Sequence, residues 1–230
     1  MQFTPLRDHC MSLSRFATGD RLIMVSRQYK FREDPMTPKE LKARYRNERL
    51  AARDAIPAED RIEKGLAMVA HGGDAIDIGP GDIVSGFLPI RSEVDIRPLM
   101  ARLRERGARL CVPVILDRST IVFRELVAGV PLVPVGFGTS GPGPDAAVLD
   151  PDVMLVPLSA FDRSGHRIGY GAGYYDRAIE QLHQKGLDPR LIGIAFDCQE
   201  VPSVPAEPHD VRLDAILTES GLSFVSEVIG

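Results

Sequence analysis

The sequence contains no tryptophan, three cysteines and no apolar run near the ~20 residues that a membrane-spanning helix requires. Its longest apolar run near the start, Leu22 to Val25, is too short for the apolar region of a secretory signal. Cys10, Cys111 and Cys198 are odd in number and widely spaced. They make neither a zinc pattern nor a disulfide framework, so a reducing cytoplasm is the expected compartment and no membrane partner is expected. Cys111 sits in an apolar run, where a small buried residue is the simplest reading. A strong charge of one sign is lacking too. The net charge is −4, although residues 1–50 carry eleven Lys/Arg against six Asp/Glu. Those basic residues are interleaved with acids and apolar residues, and no aromatic pattern of an RNA-binding sheet accompanies them. Nucleic acid is therefore not an expected partner.

What is present describes a globular chain. A content of 44% hydrophobic and 26% charged residues over 230 positions is ordinary for one large domain, or a domain with an appendage. Residues 1–36 lack a clear period and read as an N-terminal extension. Asp34-Pro35-Met36-Thr37-Pro38 breaks the chain before an α/β domain over 37–230. Thr37 as N-cap, Pro38 at the first helical position and Glu40 at the third predict a helix from there to about Ala55. A second helix is expected from Ala58 to about His71, with Ile62, Leu66 and Val69/Ala70 on its apolar face. Beyond Gly72-Gly73 short apolar runs alternate with helical ones. Strands are expected over Ile83–Pro89, Leu110–Leu116, Thr120–Leu126, Asp152–Leu158, Leu191–Phe196 and Ala215–Thr218. Helices are expected over Asp95–Gly107 and Tyr174–Lys185, and Gly129–Pro144 reads as a long loop. This pattern predicts a single α/β domain with a largely parallel twisted sheet and helices on both faces.

The most informative stretch is Arg167-Ile168-Gly169-Tyr170-Gly171-Ala172-Gly173-Tyr174-Tyr175-Asp176-Arg177. Glycine lets backbone approach a ligand closely, and successive amides of such a loop can converge on one anion. The helix that follows adds unpaired N–H groups and a positive dipole end. The expected result is a phosphate cradle with Arg167 as added charge. It is not a dinucleotide fingerprint, because the glycines fall every second residue. Nor is it a Walker A loop, since Ala172-Gly173-Tyr174 stands where Gly-Lys-Ser/Thr would be needed. A loop that follows a buried strand end lies where α/β sheets bind ligands.

Three further segments occur with this loop. They are Ser85-Gly86-Phe87-Leu88-Pro89-Ile90-Arg91-Ser92-Glu93-Val94-Asp95, Val156-Pro157-Leu158-Ser159-Ala160-Phe161-Asp162 and Pro208-His209-Asp210-Val211-Arg212-Leu213-Asp214. Together and in this order, across roughly residues 39–221, they resemble the 5-formyltetrahydrofolate cyclo-ligase (5,10-methenyltetrahydrofolate synthetase) family. The resemblance implies ATP-dependent cyclisation of 5-formyltetrahydrofolate to 5,10-methenyltetrahydrofolate, with ATP as co-substrate and Mg²⁺ as cofactor. It also implies a reduced folate as the other small-molecule partner, and a monomer or weak homodimer. Two other readings stay open. One is a paralogue using ATP on another formylated or amide substrate, which should have lost Glu93. The other is a non-catalytic folate-binding module, which should have lost Asp176 or the glycines.

The resemblance assigns roles residue by residue. Lys42 and Arg46 share a helix face, where on the residues alone a solvated charged face is the better reading. The resemblance implies instead that they reach the ATP phosphates, with Tyr45 replacing the family's usual Leu. It implies that Glu93 binds the pteridine ring, a role set against that of an acid favoured by a helix N-terminus, which Asp95 fills equally well. Phe87 and Leu88 would line the folate pocket, and Phe137 would lie over the folate unless it merely anchors its loop. Arg167, Ile168, Gly169, Tyr170, Gly171, Ala172, Gly173, Tyr174 and Tyr175 would hold ATP, with Arg167, Tyr174 and Tyr175 as catalytic residues. A Tyr pair opening a helix otherwise reads as packing. Tyr170 and Ala172 stand where some relatives carry Arg and Lys, which leaves more of the charge to Arg167, Lys42 and Mg²⁺. Asp176 and Asp210 would be the metal ligands, whereas Asp176 without the resemblance is a first-turn helix acid. His209 has no second His or Cys at ligand spacing and reads as structural.

Overall fold

The computed structural model describes residues 36–135, 139–207 and 210–225. The expected extension up to Pro35, and with it Cys10, lies outside the described residues, as do Phe137 and His209. Helix α1 (Pro38–Asp54) starts as its sequence dictates: Thr37 Oγ1 accepts from the Glu40 amide at 3.3 Å, and the Thr37 amide donates to Glu40 Oε2 at 2.8 Å. A reciprocal cap of this kind stabilises a helix by about 1 kcal/mol.

Helix α2 (Ala58–Gly72) forms where expected but turns the other way. Its buried residues are Gly65, Met68 and Gly72, whereas Ile62 and Leu66 are 64% and 55% exposed. Close approach decides this orientation. A Cβ on Gly72 would stand 2.6 Å from Leu217 Cδ2, and one on Gly65 would stand 3.5 Å from the Asp95 carbonyl. Met68 fills the core between these two glycines and Val69 packs beside it as expected, while Ile62 and Leu66 are left outside.

Strand β1 (Ile83–Ser85) is shorter than the apolar run that predicts it, because the chain leaves the sheet at Gly86 to build the site. Helix α3 (Arg97–Glu105) buries Leu99, Met100 and Leu103 and leads to β2 (Arg109–Ile115), which pairs parallel to β1. Strand β3 (Ile121–Glu125) returns antiparallel to β2. The long Gly/Pro-rich loop contains a small hairpin, β4 (Val133–Pro134) with β5 (Ser140–Gly141), and β6 (Val148–Leu149) then joins β3. Strand β7 (Val153–Pro157) pairs parallel to the other side of β1. A two-residue ladder of β8 (Ala160–Phe161) and β9 (Arg167–Ile168) carries the chain to α4 (Tyr174–Gln184). Strands β10 (Arg190–Ile194) and β11 (Ala215–Thr218) extend the parallel run, and β12 (Gly221–Phe224) closes it antiparallel.

The eight-stranded sheet has the order β12-β11-β10-β7-β1-β2-β3-β6. Its parallel core, β11-β10-β7-β1-β2, winds one way from β1 to β2 and the other way from β1 to β7 onward. A topological switch point therefore opens between the carboxyl ends of β1 and β7, the place where such sheets take ligands. The antiparallel pairings all lie at the margins. Strand β7 shows how one apolar run is buried on both faces. Val153 and Leu155 join the cluster containing Met68 of α2 and Leu99 and Leu103 of α3. Met154 and Val156 join the cluster containing Ala178, Ile179 and Leu182 of α4. Alternation of side chains along a strand separates the two sets, and helices cover both faces as expected. Cys111 is fully buried, and burial pushes its thiol up to about 12, so it behaves as a core residue.

Candidate functional site at the sheet switch point

Past β1 the chain turns sharply. The Glu93 amide donates to the Ile90 carbonyl at 3.0 Å, while the Ile90 amide donates to Glu93 Oε2 at 2.9 Å. Arg91 takes φ 54° within this turn, a left-handed conformation that non-glycine residues seldom adopt. The strained turn aims the Glu93 carboxylate across the mouth of the switch point, where its Oε1 accepts from the Tyr170 hydroxyl at 2.5 Å. Burial raises the pKa of Glu93, and the hydrogen bonds from Tyr170 and the Ile90 amide, together with Arg53 and Arg91, oppose the shift.

Opposite lies the glycine loop. Gly171 and Gly173 have φ of 98° and 65°, and Gly173 forms the N-cap of α4. Arg46 Nε donates to the Gly169 carbonyl at 2.8 Å, and a Cβ on Gly171 would lie 3.8 Å from the Arg46 guanidinium carbon. Arg177 holds the other side: it donates to the Ala172 carbonyl at 2.8 Å and to the Ser119 carbonyl at 2.7 Å. The loop is thus held by a guanidinium from α1 and another from α4.

Arg167 is 6% exposed and donates to Asp176 Oδ1 at 2.5 Å and to the Val211 carbonyl. Burial lowers its pKa, opposed by the nearby carboxylates of Asp176 and Asp210. Lys42 Nζ donates to Asp210 Oδ2 and to Glu207 Oε2, each at 2.7 Å. Burial would lower the pKa of this lysine, but the two carboxylates hold it above the ordinary value. Tyr174 donates to the Asp117 carbonyl at 3.3 Å. The Tyr175 hydroxyl is buried with no hydrogen-bond partner among the described residues, and burial pushes its pKa well up. An unpaired buried donor beside a cavity is costly unless a ligand satisfies it.

These groups surround a cavity of about 420 Å³, within the usual range for small-molecule sites. Its lining takes Phe87, Leu88 and Glu93 from the segment after β1. From the loop and the start of α4 it takes Arg167, Gly169, Tyr170, Ala172, Gly173, Tyr174, Tyr175 and Asp176. Val112, Ile115 and Pro157 from β2 and β7 line it as well. Of the other expected site residues, Ile168 is buried in β9, Gly171 faces Arg46, and Lys42 and Asp210 pair with each other beside the lining. Among the described residues no cluster of three or more His, Cys, Asp or Glu forms a ready metal cage.

Helix α1 keeps a solvated face at Arg44 and Glu48, but Lys42 and Arg46 do not lie on it. Lys42, Arg46, Arg49 and Arg53 follow spacings of four, three and four, and all are at least half-buried, Arg53 to 2% exposure. Arg53 is the functional candidate that the sequence reading passed over. It donates to the Tyr170 hydroxyl at 2.5 Å and to Ser92 Oγ at 3.0 Å. The helical spacing from Lys42 and Arg46 was a signal available to find it.

The fold and this cavity define a doubly wound α/β protein with a cavity lined by a glycine-rich loop at the switch point of the sheet. Comparison with known proteins then places it: residues 38–219 match the 5-formyltetrahydrofolate cyclo-ligase family, and the chain belongs to that family of ligases. It is 35% identical over 155 residues to 5-formyltetrahydrofolate cyclo-ligase of Mycolicibacterium smegmatis, covering 60% of this chain and 74% of that protein. The enzyme of the same name from Escherichia coli is 33% identical over 143 residues, covering 60% and 78%. The solved 5,10-methenyltetrahydrofolate synthetase of Aquifex aeolicus shares the fold with a TM-score of 0.69 at 23% identity, covering 83% of this chain and 95% of that one. No helix among the described residues is long and apolar enough to cross a membrane.

Proposed function

We propose that the protein converts 5-formyltetrahydrofolate to 5,10-methenyltetrahydrofolate, consuming ATP and releasing ADP and phosphate. The observation that carries this reading is that one cavity is lined both by an aimed carboxylate, Glu93, and by the glycine loop with Arg167 and Asp176. A carboxylate matches the paired N–H donors of a pterin edge. A cationic loop at a helix N-terminus matches the phosphates of a nucleotide.

The chemistry needs position and charge more than a protein nucleophile. The formyl oxygen attacks the γ-phosphorus, an oxygen–phosphorus bond forms, and ADP departs with the electron pair of the bond that breaks. The formyl carbon is now bound to a good leaving group. N10 attacks it, loses its proton and expels phosphate, which closes the five-membered ring. In this scheme Glu93 anchors the pterin, Phe87 and Leu88 flank it, and Arg167, Arg46 and the loop amides receive the phosphates. The Tyr175 hydroxyl, the buried donor still to be satisfied, meets the oxygen that passes between formyl group and phosphorus, with Tyr174 beside it.

The donors present suit Mg²⁺, because two carboxylates would leave the rest of its shell to phosphate oxygens and water. Asp176 and Asp210 would hold it, and when bound it would neutralise phosphate charge. An absorbance assay for the methenyl product, with and without ATP and Mg²⁺, tests the assignment. Product is expected only when both are present, and cyclisation at full rate without ATP would exclude it.

Glu93 yields a second expectation. Glu93→Gln keeps the shape but removes the charge, so folate affinity should fall roughly ten- to a hundred-fold, the equivalent of ~1.5–3 kcal/mol for a charged hydrogen bond. Mg-ATP affinity should stay near the parent value, and calorimetry with each ligand separates the two. Because burial raises the pKa of Glu93, the ionised acceptor is present above that value and is lost as pH falls through it. Folate binding in the parent should accordingly weaken on acidification at a higher pH than an ordinary carboxylate would impose, and in Glu93→Gln this limb should vanish.

A further inference from the structure

The pterin acceptor is held by a relay that begins on α1. Arg53 Nη1 donates to the Tyr170 hydroxyl at 2.5 Å, and that hydroxyl donates to Glu93 Oε1 at 2.5 Å. The other carboxylate oxygen, Oε2, takes the Ile90 amide at 2.9 Å. Arg53 is itself fixed, since its Nε donates to Ser92 Oγ at 3.0 Å and Ser92 in turn donates to Asp54. An ionised carboxylate offers about four acceptor sites, so one donor on each oxygen leaves about two, one per oxygen, for a ligand with two adjacent N–H groups.

We propose that Arg53 and Tyr170 are positioning residues for folate recognition: the relay keeps the Glu93 carboxylate ionised and turned so that both oxygens present a free lone pair to the pterin. This rests on the folate reading of the cavity. The direction of each bond supports the relay. A guanidinium can only donate, so the hydroxyl proton of Tyr170 is left to point at Glu93, and Glu93 must accept. The groups facing Glu93 are Arg53 from α1, Tyr170 from the glycine loop, Tyr175 from α4, and Arg91 and the Ile90 amide in its own turn. Among them the two guanidiniums and the two hydrogen bonds oppose the effect of burial on the carboxylate. Tyr170 links the two halves of the cavity, because its side chain serves the acceptor while its backbone belongs to the glycine loop.

Tyr170→Phe tests the proposal with little risk to folding, since it removes one hydroxyl from a side chain already 37% exposed. Affinity for 5-formyltetrahydrofolate, measured by calorimetry without ATP, should fall about ten-fold. KM for folate should rise in proportion, while KM for Mg-ATP holds, because the loop amide at position 170 survives. The acid limb of folate binding should move to higher pH, since the lost hydrogen bond favours the charged carboxylate. Arg53→Met should act in the same direction, and Arg53→Lys should restore part of the affinity by returning a charge without the planar fork. A merely structural role would lower the melting temperature and leave the acid limb in place. Equal or tighter folate binding by Tyr170→Phe would overturn the relay and make Tyr170 a cover that the pterin displaces. If the parent protein does not bind 5-formyltetrahydrofolate, the proposed function fails. If the parent binds and Glu93→Gln does not, while Tyr170→Phe binds as the parent, the relay alone fails.

Discussion

A Gly171→Val protein is expected to keep its fold and lose most of its affinity for Mg-ATP. Gly171 has φ 98°, where a β-branched residue is disfavoured by about 1–3 kcal/mol. The nearest atoms to an added Cβ belong to the Arg46 guanidinium at 3.8 Å, so steric overlap at the Cβ itself is not the problem. The loop must instead leave its left-handed conformation, which turns its amides away from the anion, and the valine branches then stand between loop and Arg46. Each loop amide that no longer met phosphate would forfeit ~1.5–3 kcal/mol, a drop in affinity of roughly ten- to a hundred-fold. Folate binding should change much less, because the Ile90 amide in the turn after β1 holds Glu93 Oε2 independently of the loop, and only the Tyr170 hydroxyl couples the two. Thermal-shift titrations with Mg-ATP and with folate separate the two roles. A phosphate cradle predicts selective loss of the Mg-ATP shift, whereas a structural turn predicts that both ligands suffer alike. If Gly171→Val melts like the parent and gains its full shift with Mg-ATP, the loop does not bind the nucleotide.

Asp176→Asn should damage turnover more than binding. The variant removes the anion that faces Arg167 at 2.5 Å, and Arg167 is nearly buried. Breaking a fully buried pair costs about 3–5 kcal/mol, but Asp176 is 40% exposed, so water reduces the stability loss well below that figure. Catalysis would have no such relief if Asp176 is the proposed Mg²⁺ ligand, because the amide lacks the carboxylate's charge. The expected result is a fall in kcat of about a hundred-fold or more, with a higher Mg²⁺ concentration needed for half-maximal rate. Single-turnover measurements over a Mg²⁺ series check this. A lower melting temperature with unchanged kcat and unchanged Mg²⁺ dependence would reduce Asp176 to the partner of Arg167.

The local signals in the chain were read directly because their physics is local. Thr37, Pro38 and Glu40 cap α1 through atoms three residues apart, so the start of that helix needs nothing else from the fold. The run from Val153 to Pro157 is apolar at every position until its proline, which suits only a strand covered on both sides. The alternating glycines ending at Gly173 and the helix after them were likewise visible, because positive φ and helix initiation are matters of one or two residues. What the sequence by itself determined is therefore the α/β class, the places of the helices and central strands, and the glycine loop that lines the cavity.

The tertiary structure decided the rest. On α2, periodicity favoured Ile62, Leu66 and Val69/Ala70 as the inner face; Val69 does pack on the core, but the helix turns Gly65, Met68 and Gly72 inward, and only neighbours such as Leu217, which a Cβ on Gly72 would meet, reveal that. On α1, four basic side chains that suit water equally well are drawn against the body of the protein by acceptors far along the chain. Glu93 meets Tyr170 across 77 positions and Lys42 meets Asp210 across 168, so neither pairing has any expression in local sequence. Hydrogen bonds of this kind depend on where the sheet brings its strand ends together. That placement is set by the burial of two apolar faces at once, a property of the whole fold that no short stretch of residues contains.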